Sequence, residues 1–168
     1  MNEDIVKEIG EASAVAEKAQ AAEKHMTTWL VFSISGKRYA IKSDDVREIV
    51  RDVQVYKLPF MPAYIEGVLN RRGDPYTVIN PLAVTDSADI KPPEESLFLV
   101  LKRDDDQLSL HISDILFFTE MEDADLNLIP DNDEEGFFLG TLGYGDDEIP
   151  ALNPSAFELL IRKDLGSE

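Results

Sequence analysis

The side chains of this 168-residue chain that could carry chemistry are few and scattered. The chain holds two histidines, His25 and His111, and no cysteine. Disulfides, thiol catalysis and Cys-based zinc sites are therefore excluded, and the two histidines form no metal-ligand pattern. His111 stands between Leu110 and Ile112 in an alternating pattern, so its side chain is expected on the opposite face of a strand, exposed or facing a partner.

An acidic stretch, residues 131–136, resembles the start of a calcium-binding loop. Such a loop ends in a bidentate Glu, but Leu142 stands at that position. The stretch also leads into a predicted strand rather than a helix. We therefore expect no calcium site there, and we interpret the three aspartates at 104–106 as a solvated hairpin tip.

Motifs of catalysis and cofactor binding are absent from the sequence. There is no Gly-x-Ser-x-Gly and no Gly-Lys-Ser of a phosphate loop. Residues 143–145 read Gly-Tyr-Gly but lack the third glycine and the following helix of a dinucleotide site. A pair of catalytic carboxylates would need a pocket that separates their pKa values, and the sequence indicates none. These patterns predict a binding module without a cofactor, not an enzyme.

The charge balance narrows the class of partner. Asp and Glu number 34 and Lys and Arg 16, which gives a net charge of −18. Such a chain repels nucleic acid and anionic membrane surfaces. The acidic surface serves solubility or, alternatively, steers the chain to a basic partner face. No stretch reaches the roughly 18 apolar residues of a membrane span, and the N-terminus has no signal-peptide pattern, so a cytoplasmic location is expected.

The elements that must position any site begin after an unusual N-terminal segment. Residues 1–28 are rich in Ala, Glu and Lys, with apolar residues at helical spacing. Because the apolar stripe is mostly alanine, this segment is expected to be a helical or disordered tail. A helix that docks on a partner is an alternative without support. Residues 29–168 have the composition of one domain with a real core.

From Trp29 onward the sequence alternates strand patterns with turn residues. A polar connector, residues 85–96, separates two such series, and Ser155 is expected to cap a closing helix from 156 to about 163. The predicted strands are 29–35, 38–41, 46–50, 53–58, 64–70, 76–79, 97–101, 108–112, 115–120, 137–142 and 148–152.

The two series form an internal repeat with approximate halves 29–84 and 97–168. When Gly67 is aligned with Gly140, the Asn-Pro pairs at 80–81 and 153–154 meet without a gap. Two related halves of short strands predict twin small barrels or a pseudo-symmetric sandwich. We expect each half to close on itself, because closure removes exposed sheet edges.

The stretch from Trp29 to Asn80 resembles the CheW-like family. The sharpest part is 59–73, where a proline loop is followed by Ile-x-Gly-Val and Asn-x-Arg-Gly. The second half, from Leu97 to Phe157, is similar but weaker. Together the resemblance covers about four-fifths of the chain.

The resemblance implies an all-β fold of two small five-stranded SH3-like barrels with a shared core and a pseudo-two-fold repeat, plus short helices. It also implies a non-catalytic adaptor that couples methyl-accepting chemotaxis receptors to a CheA-type histidine kinase. In that family the groove between the barrels takes the cytoplasmic tip of the chemoreceptor, and a barrel packs on the kinase's regulatory domain. The implied location is cytoplasmic, at membrane-associated receptor arrays, without direct membrane insertion.

The resemblance suggests receptor-binding residues but none for the kinase. By the Asn-x-Arg-Gly match, Arg72 is expected to couple to the receptor, with a structural role in its loop as the alternative. Ile49, Val50 and Val68 are candidates for apolar contact, with burial in the core as the alternative. The remaining three residues are interpreted as structural or turn positions: Gly67, Gly73 and Gly140.

The chain departs from the family pattern at several positions. Arg71 stands where an apolar residue is usual, and Ser113 where an Asp is frequent. Asn-Pro replaces the typical Asp-Leu at 80–81 and again at 153–154. These departures leave open a divergent CheW-like protein that binds only one partner or serves a parallel pathway such as surface motility.

Overall fold

The computed structural model describes residues 25–103, 107–128 and 136–166. The predictions for the N-terminal tail before residue 25, the hairpin tip at 104–106 and the acidic loop before residue 136 lie outside these ranges. The strands are β1 (Met26–Ile34), β2 (Lys37–Lys42), β3 (Val46–Arg51), β4 (Val55–Tyr56), β5 (Ile65–Arg71), β6 (Asp74–Ile79), β7 (Leu97–Leu101), β8 (Leu108–Ile112), β9 (Asp114–Glu122), β10 (Leu126–Leu128), β11 (Phe138–Tyr144) and β12 (Asp147–Leu152). The helices are α1 (Pro81–Thr85) and α2 (Pro154–Asp164), with 3-10 turns at Ser43–Asp45 and Asp123–Asp125.

The strands form two sheets of six strands each. Sheet A has the order β10-β11-β12-β2-β1-β9, and sheet B has the order β3-β7-β8-β6-β5-β4. The predicted all-β class with short helices is confirmed. The strand pairing does not bear out the count of five strands per barrel, and the SH3-like form of the barrels stays a prediction.

The two halves of the chain exchange their first hairpins. The β1–β2 hairpin of the first half joins sheet A, whose other strands come from the second half, and the β7–β8 hairpin of the second half joins sheet B. Each exchange is made by a parallel contact, Ala151 with Ala40 in sheet A and Thr77–Ile79 with β8 in sheet B. The expectation that each half closes on itself is therefore wrong. Each half supplies strands to both sheets, so the domain cannot be divided at the connector.

The predicted repeat is visible in matching backbone details. Gly67 and Gly140 have φ values of +149° and +155°, and each lies at a bulge in its hairpin. Positive φ at these bulges favours glycine over other residues. The amide N–H of Asn80 donates to the carbonyl of Tyr64, and that of Asn153 donates to the carbonyl of Phe137, both at 2.8 Å. The two halves thus share this backbone hydrogen bond after the last strand of each repeat, as well as a similar sequence.

Each sheet buries side chains on both of its faces. On β1, Trp29 and Val31 belong to an apolar cluster within sheet A, while Leu30 and Phe32 belong to a larger cluster that both sheets share. A third cluster, which includes Val50, lies within sheet B. Fully burying one such side chain contributes about 1.5–3 kcal/mol to the stability of the fold. Apolar packing in the shared cluster therefore holds the two sheets together.

Both helices begin at a proline that directly follows an asparagine. Asn153 is the N-cap residue of α2 and Pro154 its first residue, so the predicted cap at Ser155 is wrong by two positions. Proline is favoured at this position because its missing N–H would have no helical partner there. The matching Asn-Pro at 80–81 begins α1, a short helix that the strand pattern did not predict.

Helix α2 is fastened to residues at the border of sheet B. Arg103, which follows β7, donates from Nε to Glu158 Oε2 at 2.6 Å. The Tyr64 hydroxyl, just before β5, donates to Asp164 at 2.7 Å. Burial raises the pKa of Tyr64, and the bond to the carboxylate adds to the rise. These bonds join the last helix of the second half to strands of sheet B. Among the described residues, no helix has the length and apolar character to cross a membrane.

Candidate functional site: a groove between the sheets

An apolar groove lies where the edges of the two sheets approach each other. Strand β3 is an edge of sheet B and β9 is an edge of sheet A. The groove between them has a volume of about 270 Å³. Its lining consists of Leu30, Ser43, Val46, Arg47, Glu48, Ile49 and Phe118.

The floor of the groove is Leu30, which is fully buried in the shared cluster and lies opposite Phe118 in the β1–β9 register. The shared core therefore reaches the surface here, between two edge strands.

Two large apolar side chains stand exposed at the mouth of the groove. Ile49 on β3 is 37% exposed and Phe118 on β9 is 58% exposed. Val46 is half-buried and packs against the shared cluster. An apolar channel between two edges can receive the apolar face of an amphipathic helix, whose side chains enter as spaced anchors. The groove is therefore suited to binding such a helix.

Charged side chains border the groove on the side of β3. Arg71 Nε donates to Glu48 Oε1 at 2.6 Å, and the two side chains form an ion pair. The hydrogen bond from Arg71 lowers the pKa of Glu48, and the nearby charge of Arg72 lowers it further. On the same strand, Arg47 donates to the hydroxyl of Tyr76 at 3.1 Å. The unusual Arg71 thus joins the β5–β6 turn to a residue that lines the groove.

Arg72 occupies a backbone conformation that its side chain does not favour. Its φ is +54° and that of Gly73 is +86°, which matches the two-residue turn with positive φ at both positions. Such turns favour Asn-Gly, and a residue with a Cβ in the left-handed region costs about 1 kcal/mol or more. The turn is fastened by the Gly73 N–H, which donates to Asn70 Oδ1 at 3.0 Å. Arg72 itself is exposed, beside the Glu48–Arg71 pair.

The other predicted contact residues fall in different places. Ile49 lines the groove. Val50 is 4% exposed and belongs to the cluster within sheet B, which agrees with the alternative of core burial. Val68 is half-buried and pairs with Tyr56 on β4, away from the groove lining. Sequence reasoning missed Phe118, whose place on an edge strand depends on the pairing of distant segments.

A second apolar surface lies at the other edge of sheet B, around the proline loop. Tyr56 is 55% exposed, Leu58 is 44% exposed and Phe60 is fully exposed. We call these three residues the proline-loop strip. Beside them is a cleft of about 400 Å³, lined by Val55, Lys57, Leu58, Phe60, Met61, Pro62, Ala63, Ile65, Glu66 and Pro92. The strip was not singled out from the sequence, although Pro59 and Pro62 marked the loop.

Gly67 and Gly140 both lie at bulges with positive φ. A Cβ on Gly67 would lie 2.1 Å from the carbonyl oxygen of Tyr56, so only glycine allows β4 to lie this close to β5. Gly73 supplies the second positive φ of the turn that carries Arg72. Gly67 therefore positions the proline-loop strip, and Gly73 positions the turn of Arg72.

His111 is buried, so the expectation of an exposed or partner-facing histidine is wrong. It is 6% exposed, and all five residues of β8 are buried. Alternation predicts an exposed face only when one face of the sheet meets water, and β8 is an interior strand covered on both sides. Within the ranges that the structure describes, no group of three or more metal-binding side chains occurs.

Comparison with known proteins gives concordant results. The family model of the CheW-like domain matches residues 28–160. A chemotaxis protein CheW from Helicobacter pylori is 23% identical over 161 residues, which cover 96% of each chain. The crystal structure of the scaffolding protein TtCheW from Thermoanaerobacter tengcongensis has a TM-score of 0.67 and 22% identity, over 76% of this chain and 88% of that chain. This likeness agrees with the all-β fold described above.

Proposed function

The chain belongs to the CheW-like domain family, and we propose that it is a non-catalytic adaptor that couples chemoreceptors to a CheA-type histidine kinase. The observation that carries this proposal is the presence of two separate exposed apolar surfaces at opposite edges of sheet B. An adaptor needs two such surfaces, because it must hold two partners at once. The place of action that follows is the cytoplasm, at receptor arrays.

We assign the groove to the chemoreceptor. A receptor tip is a helical hairpin, and the channel between β3 and β9 offers Ile49 and Phe118 as apolar contacts for one helix. Arg72 carries a positive charge near Glu48 of the groove lining, and its guanidinium can fork onto a carboxylate of that helix. The strained φ of Arg72 supports this role, since a turn retained only for its shape would favour Asn at that position.

We assign the proline-loop strip to the regulatory domain of the kinase. Aromatic and large aliphatic side chains are the typical anchors at the centre of protein interfaces. Phe60 is fully exposed, with Tyr56 and Leu58 beside it, and monomeric surfaces seldom present such a patch without a partner. A related β-domain end could pack on this strip through apolar contact.

Coupling through two surfaces requires no chemistry in the adaptor. A receptor that binds one surface changes the kinase only if the complex favours one of the kinase's states over the other. The coupling free energy of such systems is typically about 1–3 kcal/mol. The hairpin exchange suits this role, because the two sheets share one core and cannot move apart as independent domains.

The proposal is tested by titrating the isotope-labelled protein with a receptor hairpin tip and, separately, with the kinase regulatory domain, while backbone amide shifts are followed. The expected result is a set of shifts around Ile49 and Phe118 with the receptor tip, and a distinct set around the proline-loop strip with the kinase domain. Shifts with one partner only would favour a specialised relative that serves a single partner. The absence of amide shift changes with both partners would overturn the proposal.

A further inference from the structure

A buried histidine and a carboxylate meet next to the proline-loop cleft. His111 Nδ1 lies 2.8 Å from both carboxylate oxygens of Glu66, and His111 Nε2 lies 2.6 Å from the carbonyl oxygen of Glu95. The His111 side chain is 8% exposed and that of Glu66 is 14% exposed. The ring also packs on Phe98, with 4.5 Å between the ring centroids. Both ring nitrogens of His111 therefore lie within hydrogen-bond distance of an oxygen, and little of the ring is exposed to water.

The geometry fixes the number of protons on this pair. A carbonyl oxygen only accepts hydrogen bonds, so Nε2 must carry a proton. Nδ1 faces two carboxylate oxygens at equal distance, and an N–H that donates to both satisfies this arrangement. A protonated carboxyl would direct its hydrogen from one oxygen only and leave the other oxygen against the nitrogen lone pair. The arrangement thus belongs to an imidazolium beside an ionised Glu66.

The surroundings agree with a charged ring. Burial lowers the pKa of His111, but the hydrogen bonds to Glu66 and to the Glu95 carbonyl, with the charges of both carboxylates, outweigh it and raise the pKa overall. The β7 and β6 residues that pair with β8 carry no charge, and Lys57 reaches the same cleft as Glu66. The groups that act on the ring are therefore two carboxylates, one from β5 and one from the connector.

The imidazolium joins the two walls of the cleft. Glu66 on β5 lines the cleft directly, and Pro92 of the connector is also part of its lining. The connector also supplies the Glu95 carbonyl that accepts from Nε2. When the ring loses a proton, one of these two bonds is lost and Glu66 faces a lone pair in a buried position, which is unfavourable. Deprotonation therefore acts on the position of β5 relative to the connector.

We propose that the proton on the His111–Glu66 pair is a pH-dependent clamp that holds the walls of the proline-loop cleft together. The clamp is closed at low and neutral pH and opens as the pH rises. Its effect on kinase docking rests on the proposed function, because the cleft adjoins the proline-loop strip. The clamp itself is a property of the free protein and is measured without any partner.

The test is a titration of the full chain between about pH 5.5 and pH 9.5, a window that spans the ordinary histidine pKa and a raised one. The imidazole nitrogen shifts report the protonation of His111, and the amide shifts of Lys57, Met61 and Lys91 report the cleft walls. His111→Gln removes the titration, while His25→Gln, at the chain's other histidine, is the matched control. Glu66→Gln keeps the shape of the pair but removes the negative charge.

We expect both ring nitrogens of His111 to be protonated at pH 7 and the cleft amides to titrate with the same midpoint as the ring. That transition persists in His25→Gln, disappears in His111→Gln, and in Glu66→Gln moves to lower pH by about one unit or more. A neutral His111 ring at pH 7, or cleft amides that do not follow its midpoint, would overturn the proposal. If His111→Gln does not fold, the wild-type and Glu66→Gln titrations decide it.

A second arm measures the affinity for the kinase regulatory domain across the same pH range. Affinity should fall as the pH rises through the His111 midpoint in the wild type and in His25→Gln, but not in His111→Gln. Binding that is equal at all pH values would overturn the regulatory effect. Failure to bind at any pH would count against the proposed function, while the ring and amide titrations would still decide the clamp.

Discussion

The carbonyl oxygen of Tyr56 lies 2.1 Å from the place where a Cβ on Gly67 would be, so β4 and β5 touch backbone to backbone. The contact carries Tyr56 next to Val68 in the register of the two strands. It also sets the start of the proline loop, since the loop leaves β4 directly after Tyr56. The position of the proline-loop strip therefore depends on one hydrogen atom in place of a methyl group.

Gly67→Ala should lower the free energy of unfolding by about 3 kcal/mol, because the methyl group meets backbone that cannot rotate away and because φ is +149°. Gly143→Ala is the matched control, since nothing lies within 4 Å of its Cβ position. Urea unfolding followed by circular dichroism measures both. Equal midpoints for the two variants would show that β4 shifts freely and that Gly67 has no special role.

Arg72→Ala should weaken receptor binding about tenfold, because a bond to a charged partner is worth about 1.5 kcal/mol or more. The melting temperature should stay nearly unchanged, since the turn keeps its Gly73 and the Arg72 side chain is exposed. Arg51→Ala, an exposed arginine on β3, controls for the loss of one positive charge. Calorimetric titration with the receptor tip gives the affinity, and a large loss of stability would instead make Arg72 structural.

Ile49→Glu and Phe60→Glu should separate the two partners. Each places a carboxylate in one apolar surface, where its desolvation opposes binding. Ile49→Glu should weaken the receptor tip at least about tenfold and leave the kinase domain unaffected, and Phe60→Glu should do the reverse. Each variant is thus the control of the other. If both partners respond to the same substitution, the assignment of the two surfaces is wrong.

Arg71→Met should raise the pKa of Glu48 toward its ordinary value, because the hydrogen bond from Arg71 is the main cause of its lowering. A group with a lowered pKa stabilises the fold above its ordinary pKa, and this contribution is lost as the pH falls through the folded value. The stability difference between wild type and Arg71→Met should therefore shrink in acid. Carboxyl carbon titration by NMR measures the pKa directly.

Lys37→Met is the control for that titration, since it removes the partner of Asp86 and leaves Glu48 untouched. It should raise the pKa of Asp86 and leave that of Glu48 unchanged. A Glu48 that titrates identically in the wild type and in Arg71→Met would mean that the ion pair is not populated in solution.

The repeat was predictable because it includes glycine and proline at positions where the backbone conformation disfavours other residues. Gly67 and Gly140 align without a gap, and both have the positive φ that favours glycine at a bulge. The Asn-Pro pairs at 80–81 and 153–154 could also have indicated two helix starts, since proline suits the first helical position. Local signals of this kind can be recognised in the sequence without knowledge of the fold.

The hairpin exchange and the groove were not predictable from local patterns. Alternation assigns a residue to a strand but does not say which distant strand pairs with it. Phe118 therefore gave no sign of facing β3, and Arg71 gave no sign of meeting Glu48, 23 positions earlier. The prediction of an exposed His111 failed for the same reason. Strand β8 lies inside sheet B and is buried on both faces, so neither face meets water.

The hairpin exchange has a consequence for synthesis on the ribosome, where strands appear one at a time. Hairpin β1–β2 emerges first but its neighbours in sheet A, β9 and β12, are not complete until Glu122 and Leu152 have been made. Sheet B likewise waits for β8, which ends at Ile112. Because the early strands keep open edges during this interval, the nascent chain is exposed to wrong strand pairings until β9 and β12 have been made.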